Sequence, residues 1–124
     1  MTAGQDHERT ALETSARQVL LQSGAEHLPR PPWLHASQPP SATDLVHFAV
    51  WQEGTSEDAL LAALTLLPAM RVEAEQLETA LVFTARSAGL SWGRLGRAMG
   101  LGSAQAALQR FARLSSRTEL QDQA

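Results

Sequence analysis

The sequence predicts an all-α chain, a helical bundle with a C-terminal helix-turn-helix. Apolar residues recur at helical spacing along most of the chain, and helix-starting and helix-stopping residues bracket those stretches. No alternating run is long enough for a sheet, and there is no internal repeat.

The 124 residues suffice for one domain with a modest core, and a 44% hydrophobic content with three tryptophans is a globular composition. A first helix is expected over residues 6–23, with Asp6 as its cap, Leu12, Ala16 and Val19 on one side and Gly24 as terminator. From Gly24 to Ser41 the chain holds five prolines, which predict an extended linker anchored to the body by Trp33 and Leu34. Residues 1–40 are thus read as an N-terminal arm, 41–118 as the helical body and 119–124 as a tail.

Within the body, a capping box from Ser41 to Asp44 opens a helix carrying Leu45, Phe48 and Ala49 up to Gly54. A second box, Thr55 to Asp58, opens another helix with Leu60, Leu61, Leu64 and Leu67. Pro68 fits the first turn of a new helix that runs to Ala88 and stops at Gly89. Its pattern places Met70, Leu77, Ala80, Leu81 and Thr84 inward, and Glu73, Glu75 and Glu78 outward.

The helix-turn-helix is expected at residues 91–114. Ser91 caps a helix that starts at Trp92 and turns Leu95 and Met99 inward; Gly100 ends it in a left-handed conformation, and Leu101 folds back toward the core. Gly102 then loosens the turn, and Ser103 caps a recognition helix over 103–117 whose buried stripe is Ala107, Phe111 and Leu114. The small residues Gly96 and Ala107 let the two helices cross closely. Ala104, Gln105, Leu108, Gln109 and Ala112 point away from the stripe, where such a motif meets the major groove.

Charge gives a second signal. Between Thr79 and Thr118 lie six arginines, Arg86, Arg94, Arg97, Arg110, Arg113 and Arg117, and no acidic residue, in a chain of net charge −3. A segregated basic block is the electrostatic footprint of a phosphate-binding surface.

The function that follows is binding of double-stranded DNA by a transcriptional regulator or nucleoid-associated protein. Gln105 and Gln109 would read base edges while Arg94, Arg97, Arg110 and Arg113 hold phosphates, with Ser91, Trp92, Ser103, Ala104 and Leu108 completing the contact set. A single such motif gains affinity by pairing on two half-sites, so a homodimer is expected, formed through the leucine-rich helices between Ser56 and Ala88. The alternative is a helical adaptor that docks a protein through Ala104, Leu108 and Ala112.

Other chemistry finds no support. His7, His27, His35 and His47 have no metal-site spacing, and the chain has no cysteine, so neither a metal nor a disulfide framework is expected. There is no P-loop, and the serines near the motif have no histidine close in sequence, so neither enzymatic activity nor a cofactor is expected. All ten basic residues are arginine, a hint of a GC-rich genome. The opening MTAGQDHERT has no apolar run of signal-peptide length, and no stretch approaches a membrane span, so a cytoplasmic, nucleoid location is expected.

The C-terminal half also resembles the small actinobacterial helix-turn-helix DNA-binding proteins. The features that carry the resemblance are a long helix at Leu77 to Ala88, Ser91-Trp92, the turn Gly100-Leu101-Gly102, the Ser103-Ala104-Gln105-Ala106-Ala107 start and the Arg110-Phe111-Ala112-Arg113-Leu114 end. It covers roughly residues 60–117 and implies the same DNA-binding role. Relatives carry more charge on the recognition helix than Ala104, Leu108 and Gln109 supply here.

Overall fold

The computed structural model describes residues 3–35 and 37–123, with side chains described for 4–35 and 37–117. The described residues form six α-helices and no strand: α1 (Ala3–Gln22), α2 (Ala42–Trp51), α3 (Glu57–Thr65), α4 (Leu67–Ser87), α5 (Trp92–Ala98) and α6 (Ala104–Gln123), with a short 3-10 turn at Ala25–His27. The chain divides into two compact units, residues 1–73 and 74–124. The side chains expected in the 119–124 tail, and all of Ala124, lie outside the described residues.

The helix stops at Gly24, Gly89 and Gly100 fall where glycine was expected to supply them, while α2 ends at Trp51 with Gln52 as its cap, short of Gly54. The described residues with positive φ are Gly24, Gly54, Gly89 and Gly100, a conformation in which a Cβ is disfavoured. Ser41 caps α2 by accepting from the Asp44 N–H at 3.0 Å, although the Asp44 carboxylate makes no return bond, so only half of the capping box forms. At α3 the cap is Ser56, which accepts from the Ala59 N–H at 3.1 Å, one residue later than expected. Thr55 instead turns its hydroxyl onto the carbonyls of Ala49 and Gln52.

The first unit is a core of α1, α2, α3 and the start of α4, built mostly from alanine. Ala16, Ala25, Ala42, Ala49, Ala59, Ala62 and Ala63 surround the fully buried Leu20, Leu45 and Leu66, with Phe48 beside them. Small side chains allow close helix approach, and α1 packs most extensively on α3. The leucines of α3, Leu60, Leu61 and Leu64, are exposed because Ala59, Ala62 and Ala63 form its inner side. On α1, Ala16 and Leu20 point inward and Leu12 does not.

Residues 1–40 are accordingly not an arm separate from the body. The segment after α1 is also no extended linker. The Arg30 guanidinium donates to the carbonyls of His35 and Gln38, Arg17 donates to the Pro40 carbonyl at 2.9 Å, and the segment turns back over α2. Trp33 is 80% exposed and does not anchor it; Leu28 and Leu34, both half-buried, do.

The start of α4 corrects a further expectation, that Glu73 points outward. Its carboxylate accepts from the N–H groups of Ala42 and Thr43 at 2.7 and 2.9 Å and from the Thr43 hydroxyl at 2.9 Å, with Arg17 3.9 Å away. The first N–H groups of a helix have no partner within it, and the helix dipole favours negative charge there, so a carboxylate from a neighbouring helix is held firmly.

Replacing Leu20 by alanine should destabilise the first unit by about 2–5 kcal/mol, because a fully buried side chain leaves a cavity among small neighbours. Urea unfolding followed by circular dichroism measures this, and a loss below about 1 kcal/mol would show that α1 is dispensable to the core.

Candidate nucleic-acid interface

The second unit is built on the later part of α4 together with α5 and α6. Ser91 starts α5 by accepting from the Arg94 N–H at 3.1 Å. The helix closes as the Leu101 N–H donates to the Gly96 carbonyl at 2.8 Å across Gly100, which takes φ 75°. Ser103 then accepts from the Ala106 N–H at 3.1 Å and opens α6. The two helices meet at Gly96, where a Cβ would lie 2.7 Å from the Ser103 carbonyl oxygen and 3.5 Å from the Ala107 Cβ. Gly96 and Ala107 are thus the close crossing that their size suggested.

Leu95, Ala107 and Leu114 are buried with Val82 of α4, while Met99, Leu101 and Phe111 are half-buried beside them. Trp92 packs on Phe111 with ring centroids 5.6 Å apart and lies under the Arg86 guanidinium, 5.0 Å from the ring centre. Its ring is therefore part of the packing rather than an open contact surface.

In this later part of α4 the expected orientation is reversed, although Met70 near the helix start packs on the core of the first unit as expected. Glu75 and Glu78 are half-buried and hold α6, while Leu77 and Leu81 are 70% and 65% exposed, Ala80 and Thr84 are also exposed, and Val82 takes the inner position. The Glu78 carboxylate receives the Arg110 Nε at 2.5 Å and Nη2 at 2.8 Å, the two-pronged geometry that suits guanidinium to carboxylate. That hydrogen bond holds the Glu78 carboxyl below its usual range and raises Arg110 further. Arg117 donates to Glu75 at 2.9 Å.

These pairs divide the arginine block. Arg110 and Arg117 have carboxylate partners, and Arg86 lies on Trp92 and donates to the Leu90 carbonyl at 2.8 Å. Arg94, Arg97 and Arg113 are exposed and have no ion-pair partner among the described residues. Arg110, expected to hold phosphate, is thus occupied within the unit. The carboxylates that occupy it lie just upstream of the acid-free block, on a helix whose apolar pattern pointed them outward, so nothing in the sequence marked them as partners.

The outer face of α6 presents Ala104, Gln105, Leu108, Gln109, Ala112 and Arg113 together, all exposed. Arg97 borders a shallow concavity with Gly93, Leu101, Gly102, Ser103 and Ala104 at the start of this helix. Chemically, the surface offers guanidinium groups for anions and two carboxamides that can donate and accept side by side. Among the described residues there is no group of His, Asp and Glu side chains that could hold a metal ion, and no helix is long and apolar enough to cross a membrane. Comparison with protein-family models, curated proteins and solved structures gives no match to this chain.

Gly96→Ala should destabilise the second unit by about 1–3 kcal/mol, since the new methyl meets backbone that cannot swing aside. Thermal unfolding checks this; an unchanged transition would mean that α5 and α6 can separate at no cost.

Proposed function

We propose that this chain binds double-stranded DNA as a homodimeric transcriptional regulator or nucleoid-associated protein, with the N-terminal part of α6 entering the major groove. The observation that carries the reading is the set of three exposed arginines without a direct ion pair, Arg94, Arg97 and Arg113, the last within reach of the field of Glu78, around exposed Gln105 and Gln109. Phosphate contacts by arginine would set affinity and register, and a glutamine carboxamide can pair with the N6 and N7 of adenine. Ser91 and Ser103 accept through their oxygens in the caps, and each hydroxyl still has a proton to donate to a phosphate at a helix N-terminus. Trp92 and Arg110 act in this reading by holding α5 and α6 in place. The resemblance of residues 60–117 to small actinobacterial helix-turn-helix proteins supports the same role.

An adaptor reading draws on one observation, the 41% exposure of Leu108 between exposed Ala104 and Ala112. Salt separates the two readings, because phosphate binding weakens steeply as salt rises and apolar docking does not.

Selection of bound sequences from a random DNA pool, followed by salt titration of the best binder, tests the proposal. Arg94→Ala with Arg97→Ala should weaken binding to all sequences alike and flatten the salt slope by about one unit per lost contact. Gln105→Ala should relax base preference at one position of each half-site, by about 1–3 kcal/mol of discrimination, and leave non-specific affinity nearly unchanged. No DNA binding at low salt, or binding indifferent to all three residues, would overturn the reading.

The homodimer rests on the exposed side of α4 where Leu77, Ala80, Leu81 and Thr84 follow at helical spacing with no charged residue among them. An uncharged face of this kind is complementary to a second copy of itself under two-fold symmetry. Leu77→Asp with Leu81→Asp should convert the dimer to a monomer in sedimentation velocity while helix content stays constant, because neither side chain is needed inside its unit. Wild-type chain sedimenting as a monomer at micromolar concentration would refute it.

A further inference from the structure

The first unit contains a cavity that its core does not fill. Its floor is one side of α2, where Asp44, His47, Phe48 and Trp51 follow at helical spacing, and its roof is the proline-rich segment from Leu28 to Leu34 with Pro40. The pocket is open to solvent on one side and has a volume of about 380 Å³, within the range of small-molecule sites. The roof is held by bonds made within the unit: Arg30 to the carbonyls of His35 and Gln38, and Arg17 to the Pro40 carbonyl. Proline fixes φ, so little conformational entropy remains for a ligand to remove. Gly24 makes room for the floor, since a Cβ there would lie 3.3 Å from the Phe48 ring.

Two features of the walls indicate what would enter. Trp51 is 76% exposed although it lines the cavity and touches Phe48, with ring centroids 6.4 Å apart, so an aromatic surface stands open to an incoming group. Asp44 is half-buried, and its carboxylate oxygens have no hydrogen-bond or ion-pair partner among the described residues; only its amide is engaged, with Ser41. Arg30, the cation of the lining, is tied to two backbone carbonyls. The unit as a whole has nine acidic and four basic residues.

We infer that this cavity is a binding site for a small organic cation, an apolar body with an ammonium group directed at Asp44 and its hydrocarbon part against Phe48 and Trp51. A carboxylate gives the ammonium a charge-assisted hydrogen bond, and the aromatic faces attract its positive end while burying its apolar part. The inference does not depend on the DNA-binding reading, which concerns the other unit.

Calorimetric titration of the full chain with 4-phenylbutylamine, 4-phenylbutanol and 4-phenylbutyrate varies the head-group charge on one body. The amine should bind about tenfold more tightly than the alcohol, and the carboxylate most weakly. Asp44→Asn should bring the amine down to the alcohol's affinity, and Trp51→Ala should weaken every probe that binds. In wild-type protein the amine should shift the indole N–H resonance of Trp51 and leave that of Trp33 in place, which locates the site without any substitution. The proposal fails if no probe binds, if the amine binds no better than the carboxylate, if Asp44→Asn leaves its affinity unchanged, or if Trp51 does not respond.

Discussion

The carboxylates of α4 face inward, and much else in the chain follows from that. Glu73 satisfies the N–H groups that α2 leaves open at its start, and Glu75 and Glu78 hold Arg117 and Arg110 of α6. Each contact meets a need that an apolar side chain cannot meet, an orphan donor or a guanidinium close to packed surface. Losing the Glu73 carboxylate leaves part-buried N–H groups of α2 without compensation, whereas the more exposed Arg117 pair can exchange its partner for water. In the second unit the side of α4 that carries Glu75 and Glu78 is therefore its structural side, and Leu77 and Leu81 face outward. In the first unit, by contrast, Glu73 and Met70, on the Leu77 side of the helix, face inward.

The leucines of α3 also face outward, for a different reason. A helix that crosses another closely needs small side chains at the crossing, and Ala59, Ala62 and Ala63 provide them. Leucines in those places would hold α1 at a distance, so Leu60, Leu61 and Leu64 go to the other side. Hydrophobic periodicity finds the helices in such a protein and misassigns their faces. It treats every leucine as a core residue, although alanine is the residue that permits close contact.

What could be read from the sequence follows the same division. The glycine stops at positions 24, 89 and 100, the serine caps at 41, 91 and 103, and the Gly96–Ala107 crossing all depend on local chemistry, and all stand where expected. The exposed set on α6 was also legible, because the positions of Ala107, Phe111 and Leu114 fix the opposite side of the same helix. What could not be read depends on distant residues: Glu73 reaches α2 across about thirty positions and Arg110 reaches Glu78 across a similar span. The folded-back course of residues 24–41 was missed because prolines predict restricted backbone and say nothing of carbonyls gathered by Arg30.

The division of the arginines bears on how DNA binding would work. If Arg94, Arg97 and Arg113 each neutralise one phosphate, one copy of the chain has a salt slope of about −2.7 and loses roughly forty-fold in affinity between 50 and 200 mM salt. Such binding is weak at physiological ionic strength, and two glutamine contacts per copy add little. Two copies on adjacent half-sites double the slope and combine the contacts in one binding event, so specific occupancy becomes attainable only as a pair. Retaining Arg110 and Arg117 for internal pairs would thus reduce the affinity of each copy. In that reading the exposed Leu77 and Leu81 would supply the means of pairing, since the turn of α4 that brings Glu75 and Glu78 to Arg117 and Arg110 leaves these leucines outside.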